Sequence, residues 1–297
     1  GDSTIIAVGY GEYYSFNNII LAKYDSSGNL ETTFGTNGTT VTSLVNNQNT
    51  KASSIALQSD GRIIVGGIVG NGVNDDFFIA RYTANGKLDI GWGDNYEGFT
   101  ITPVSTSGDV RCHSIGIQTN NHIVAAGEMY NGTDKDMILI LYDDFGRINT
   151  LFGDNGKIIS SIGTSDDFIN DIAILDNNQI IAGGFTNYDS NVGKGDVAIV
   201  RYHTDGTIDN TFSTGGLKIN SLIVSEYSHI IIKNVLFSPL DIFNIKNQNF
   251  LRLPKVNRQL LLNNPNKFFL DAEKLKNLYN SLAMGDPYIY PMKSKIP

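Results

Sequence analysis

A chain of 297 residues, 41% hydrophobic and 18% charged, can bury a sizeable core, which excludes an intrinsically disordered polymer. A formal net charge of −8 excludes general nucleic-acid binding. One cysteine, Cys112, excludes an internal disulfide framework and a multi-cysteine metal site, and no run reaches the roughly 20 apolar residues of a membrane helix.

The chain opens on Gly1 rather than Met, which reads as a processed or partial chain. Gly1–Asp2 aligns with the later turn Asp60–Gly61, so the first predicted strand is "IIAVG", ending at Gly9. A hairpin follows in "YDSSGNLETTFGTNG", from Tyr24 to Gly38. Next come "SIALQS", a "DG" turn, the β-branched run "RIIVGGIV", a variable loop, "DFFIARYT", an "ANG" turn, and "KLDIGW" continuing into "FTITPV". This is about four short antiparallel strands in roughly 60 residues, and the unit recurs. Tyr24, Tyr82, Tyr142 and Tyr202 are spaced by 58, 60 and 60 residues. The turn glycines Gly28, Gly86, Gly146 and Gly206 keep the same steps, as do the aromatics Phe34, Trp92, Phe152 and Phe212. Gly9, Gly67, Gly127 and Gly184 end the matching "IIAVG", "IIVGG", "IVAAG" and "IIAGG" stretches.

The hairpin register can be read from charge. If Tyr24 faces Leu30, then Lys23 meets Glu31, and the equivalent pairs are Arg81 with Asp89 and Arg201 with Asp209. In the third copy both members are uncharged, Leu141 and Asn149.

At these residues the chain resembles the delta-60 repeat family, whose motif runs approximately "RY…DG.LD.TFG..G" followed by "A…DGKI…G". The resemblance covers about residues 1–234 and implies an all-β fold: a β-propeller of about four four-stranded blades. Periodicity alone also permits another β-array or a piece of a larger propeller. Copy one lacks its first strand, while "SEYSHIIIKN" restarts the pattern after copy four. Ile230–Ile232 are therefore expected to complete the sheet begun by Ile5–Val8 and close the ring.

From Val235 the repeat stops, and residues 235–297 carry nine Lys or Arg against four Asp or Glu. This basic segment reads as an extended arm followed by a helix over about 272–284. Asp271 is its N-cap, and Leu275, Leu278, Tyr279 and Leu282 form one apolar stripe. One short helix cannot form a core alone, so the arm must dock on the propeller or on a protein partner, including a second copy.

No catalytic motif stands out. "GDST" is a hairpin turn by alignment with "SDGR", and Cys112 and His113 are strand neighbours that point to opposite faces. The equivalent Asp76, Asp136 and Asp196, with Asn18 in copy one, precede each third strand. Their oxygens could hold a hard cation such as calcium, or could cap their own loops. The expectation is a non-enzymatic structural or protein-interaction module on a cell or virus-particle surface, extracellular or on a virion, with no membrane insertion. The alternative is a glycan- or small-ligand-binding propeller, calcium-assisted, using loop aromatics such as Tyr13, Tyr14, Tyr130 and Tyr188.

Overall fold

The computed structural model describes residues 4–13, 15–104, 108–189 and 194–220. Their strands form four antiparallel sheets in chain order. The first holds β1 (Ile5–Tyr13), β2 (Phe16–Tyr24) and β3 (Thr39–Thr42). The second holds β4 (Thr50–Leu57), β5 (Ile63–Gly70), β6 (Asp75–Tyr82) and β7 (Phe99–Thr102). The third holds β8 (Val110–Ile117), β9 (Ile123–Tyr130), β10 (Lys135–Tyr142) and β11 (Lys157–Ser160). The fourth holds β12 (Asp166–Ile174), β13 (Ile180–Asp189), β14 (Lys194–Tyr202) and β15 (Leu217–Asn220). Each sheet is one blade of a β-propeller, and strands within a blade pair in sequence order.

Local chemistry sets the hairpins. Between β4 and β5 the chain reverses at Gly61, φ +85°, and the turn is closed by Gln58 N–H donating to Arg62 O at 2.9 Å. Asn121 and Asn178 take the same left-handed position in the next two copies, since Asn tolerates it where most side chains do not. Tyr24, Tyr82, Tyr142 and Tyr202 bridge to Leu30, Leu88, Ile148 and Ile208 across the second turn. This register places Lys23 Nζ 3.2 Å from Glu31, Arg81 Nε 2.7 Å from Asp89 and Arg201 Nε 2.8 Å from Asp209. The arginines also lie over the repeat aromatics, Arg81 4.9 Å from the Trp92 ring centroid and Arg201 5.0 Å from that of Phe212.

Strand alternation gives each blade two apolar faces, one for each neighbour. Ile19 and Leu21 meet Ile63, Val65, Phe78 and Ala80 of the second blade. Ile64, Phe77 and Ile79 on the second blade's other face meet Ile123, Ala125, Ile138 and Ile140. Val124, Ala126, Met137 and Leu139 then meet Ile180, Ala182, Ala198 and Val200. β4 packs against β8 and β8 against β12, so these first strands line one side of the stack.

The repeated residues lock blade to blade. A Cβ at Gly86 would stand 2.6 Å from the Phe34 ring, and one at Gly146 2.6 Å from the Trp92 ring. The aromatic of one blade thus lies against the turn of the next, and that turn must be glycine for room as well as for its positive φ. Gly35, Gly93 and Gly153 donate backbone N–H bonds of 2.8–2.9 Å to the carbonyls of Asn85, Phe145 and Asp205 in the following turns. The phenols of Tyr142 and Tyr202 are wholly buried and bond the outer-strand hydroxyls of Thr102 and Ser160 on the preceding blade, at 2.7 and 3.2 Å.

Three features depart from the sequence reading. "KLDIGW" does not extend the outer strand: it forms isolated bridges, because Gly91, Gly93 and Gly98 take positive φ and coil the chain before the four-residue β7. The second strands run past Gly67, Gly127 and Gly184 rather than ending there. Opposite each of these glycines the first strand carries a β-bulge, between Ala52 and Ser54, Cys112 and Ser114, and Ile169 and Asp171. The bulge drives the strands together: a Cβ at Gly127 would lie 1.8 Å from Arg111 O, and one at Gly184 1.8 Å from Phe168 O. Ile230–Ile232, the basic arm, the helix over 272–284 and its Leu275, Leu278, Tyr279 and Leu282 lie outside the described residues.

Candidate functional site

Superposing the second strands by the repeat isolates one position. The sixth residue is Ile68 in β5, Phe185 in β13 and Tyr10 in β1, but Glu128 in β9. Alternation puts Glu128 on the face of Val124 and Ala126, at the end of the apolar layer between the third and fourth blades. It is 4% exposed. Placing a carboxylate where the repeat has the partly buried Ile68 or the buried Phe185 forgoes up to about 1.5–3 kcal/mol of apolar burial and adds a desolvation cost. A position that breaks its own repeat at such cost is a candidate for function.

Three basic side chains converge on this carboxylate. Lys135 Nζ donates to Oε1 at 2.8 Å, Arg111 Nε lies 3.6 Å from the same oxygen, and His113 Nε2 lies 3.6 Å from Oε2. The bulge in β8 positions His113. It holds Cys112 in the layer towards the second blade while His113 turns to Glu128. Burial alone would raise the Glu128 carboxyl, but the His113 imidazole 3.6 Å away and the hydrogen bond and charge of Lys135 override it and hold it at about 2. Arg111 keeps 63% of its side chain exposed, so its guanidinium faces outwards. Beside His113 an aromatic shelf rises from the fourth blade. Phe168 lies 6.4 Å from the imidazole, Tyr188 meets Phe168 edge-on at 5.1 Å, and Phe185 supports both. Charged donors next to half-exposed rings can hold a polar ligand by hydrogen bonds and stacking.

Other residues singled out in the sequence go elsewhere. Asp76 and Asp136 are buried, and each accepts a bond from its own loop, from Asn71 Nδ2 at 2.9 Å and Asn131 Nδ2 at 2.8 Å. Asn18 donates to the carbonyls of Tyr13 and Phe16. Asp196 stands opposite Thr186 in β13. Among the described residues no three His, Cys, Asp or Glu side chains come together as a metal site. Cys112 is buried, its thiol pushed up to about 12 by burial. Tyr13 is exposed, Tyr130 bonds Gly132 O at 3.0 Å, and Tyr188 alone joins the shelf; Tyr14 lies outside the described residues. A separate open cleft of about 450 Å³ lies between Leu44–Asn46 and Asp94–Glu97, lined mostly by loop residues. Among the described residues no helix is long and apolar enough to cross a membrane.

Sequence reasoning missed Glu128, Arg111 and Lys135. The signal was the one charge in the column Ile68, Glu128, Phe185, Tyr10.

Fold and repeat together define a β-propeller built from a propeller-like repeat. A family model described as a β-propeller domain of unknown function (DUF5122) matches residues 58–89 and 176–212, which span the second hairpins of the second and fourth blades. No curated protein matches the chain.

Proposed function

We propose that this β-propeller, with repeats of the delta-60 kind, is a non-enzymatic interaction module on a cell or virus-particle surface. Its blades form a rigid scaffold, and residues 235–297 fix it to a protein partner or to another copy. One observation carries this reading: recurring residues are spent on joining neighbouring blades, by Phe34 against Gly86 and Trp92 against Gly146, and by the Gly35, Gly93 and Gly153 N–H bonds to the following turns. A scaffold of this kind leaves function to its loop ends and to the segment outside the repeat. The basic arm complements the acidic repeats in charge, which favours association. Light scattering on the full chain and on a chain ending at Asn234, with circular dichroism on both, tests it. Assembly of the full chain with a folded monomeric short form supports it. Monomers in both cases, with the short form unfolded, would overturn it.

The shelf beside Glu128 favours a second reading, a glycan- or small-ligand-binding propeller. Tyr188 and Phe168 would stack on a sugar face while Arg111 and Lys135 donate to its oxygens. Glycan-array binding that disappears in Tyr188→Ala supports it, and an array without signal counts against it.

A further inference from the structure

Residues 83–98 and 143–156 connect the third strand to the fourth in the second and third blades, and they depart from the matching connections of the other two. After the repeat aromatic each chain closes a turn through a glycine N–H: Gly38 to Phe34 O at 2.9 Å, Gly98 to Trp92 O at 2.8 Å and Gly156 to Phe152 O at 2.8 Å. The second blade inserts two residues there, Tyr96 and Glu97, so that "GDNYEG" stands where the third blade has "GDNG". Tyr96 takes φ +59°, a left-handed backbone that strains a ring-bearing residue, and such strain gathers at functional sites. Arg147 Nη2 donates to the Tyr96 phenol at 3.0 Å, and the Arg147 guanidinium lies 5.6 Å from the Tyr96 ring centroid and 5.9 Å from that of Phe145. Phe145 fills the turn position of Ser27, Asn85 and Asp205. Ile90 fills that of Thr32, Thr150 and Asn210, and Leu151 that of Thr33, Gly91 and Thr211. Ile90, Tyr96, Phe145 and Leu151 are 58–88% exposed. Single exposed apolar side chains are ordinary. Four at one end of two adjacent blades, three in place of polar residues or glycine and one in an insertion, mark an interaction surface.

We propose that this end of the second and third blades docks a protein partner offering an aromatic or aliphatic anchor flanked by lysine or arginine. The anchor follows from composition, because exposed Tyr and Phe around an Arg are what binding hot spots are made of. The flanks follow from charge. The two connections hold six Asp or Glu, at 89, 94, 97, 143, 144 and 154, against Lys87 and Arg147. Arg81 of β6 pairs with Asp89, which leaves the surface acidic. Burial raises the Asp94 carboxyl and the Asp143 charge raises it further, against the pull of Arg147, so a cation brought alongside relieves it. On its other side the inserted loop walls the open cleft of about 450 Å³, which Asp94 and Glu97 line together with Leu44, Val45 and Ile101. Carboxylates over an apolar floor suit lysine or arginine, whose methylene stem lies on apolar surface while the head keeps to charge and water. Complementary charge would steer such a partner and fix its orientation. The surface belongs to the repeat and not to residues 235–297, so it can fail while assembly through that segment holds, and the reverse.

Binding of a defined peptide to the full chain tests this. The probe is the capped peptide KKFKK carrying fluorescein, followed by anisotropy, with KKGKK and EEFEE as controls for bare charge and for the bare anchor. The expected result is saturable binding of KKFKK, at least about tenfold tighter than of either control. Trp92, the only tryptophan of the chain, reports the place, since its Nε1 donates to Asp144 O at 2.9 Å in the turn that carries Phe145, and its emission should change on binding. Deleting Tyr96 and Glu97 leaves the "GDNG" turn that the third blade already folds, and Phe145→Ser restores the residue type of Ser27. Each should weaken KKFKK at least about tenfold, while Val73→Ser, an exposed residue of the β5–β6 loop at the other end of β6, should leave it unchanged. Circular dichroism establishes that the variants are folded. No saturable binding of KKFKK, equal affinity for KKFKK and KKGKK, or full affinity in both folded surface variants would overturn the proposal.

Discussion

Gly146 and Gly28 occupy equivalent turns with φ of +80° and +83°, so an alanine at either is strained in the backbone. Their surroundings differ. A Cβ at Gly146 enters the Trp92 ring, whereas at Gly28 it meets nothing within 4 Å. Gly28→Ala should therefore cost about 1 kcal/mol and Gly146→Ala about 3 kcal/mol, the excess coming from overpacking. Urea unfolding of the two variants checks the difference, and equal losses would show that backbone strain alone is at work. Glu128 makes a prediction in pH. Its carboxyl is at about 2 in the folded chain against an ordinary value near 4.5. A depressed folded pKa adds stability that is complete above about 4.5 and is lost as pH falls towards 2. The term is up to about 3 kcal/mol. Glu128→Gln, which cannot titrate, should show a flatter melting temperature across that window, while the parent chain falls steeply. Parallel profiles would mean that the three basic partners do not stabilise the ionised form.

At the scale of the hairpin, Arg81 and Asp89 form a pair that the third copy replaces by Leu141 and Asn149. Arg81→Leu alone leaves the part-buried Asp89 without its nearest cation and should cost about 1–2 kcal/mol. Arg81→Leu with Asp89→Asn should recover part of that loss, with a coupling of about 0.5–1 kcal/mol because both groups keep some solvent contact. A double-mutant cycle measured by chemical unfolding decides this, and zero coupling would reduce the pair to a marker of register. The register itself was legible: matched charges at Lys23 and Glu31, Arg81 and Asp89, and Arg201 and Asp209 locate the bridge from Tyr24 to Leu30 and its repeats. The bulges were not. A period of two is the only signal a strand gives, and one extra residue at Ser53, His113 or Asn170 shifts it without leaving a turn residue behind. The glycines opposite were visible but read as strand ends, because close backbone approach and termination leave the same residue in the sequence.

For the molecule as a whole, the repeat made the blade count and the all-β class readable, since turn glycines and strand runs depend on local chemistry. The Glu128 site was unreadable by motif because its members come from five strands of two blades: Arg111 and His113 from β8, Glu128 from β9, Lys135 from β10, and the shelf from β12 and β13 of the next blade. Local patterns do not encode which blade faces which. The lock between blades has one further property, a direction. Phe34 covers Gly86 and Trp92 covers Gly146, so at these two junctions the covering ring lies upstream of the turn it covers, while at the third Ile158 stands against Gly206. During synthesis each ring leaves the ribosome about fifty residues before the glycine it will meet. Each such ring is thus available before the turn it covers, and the expected outcome is folding in chain order, which protease protection of ribosome-bound chains of increasing length checks.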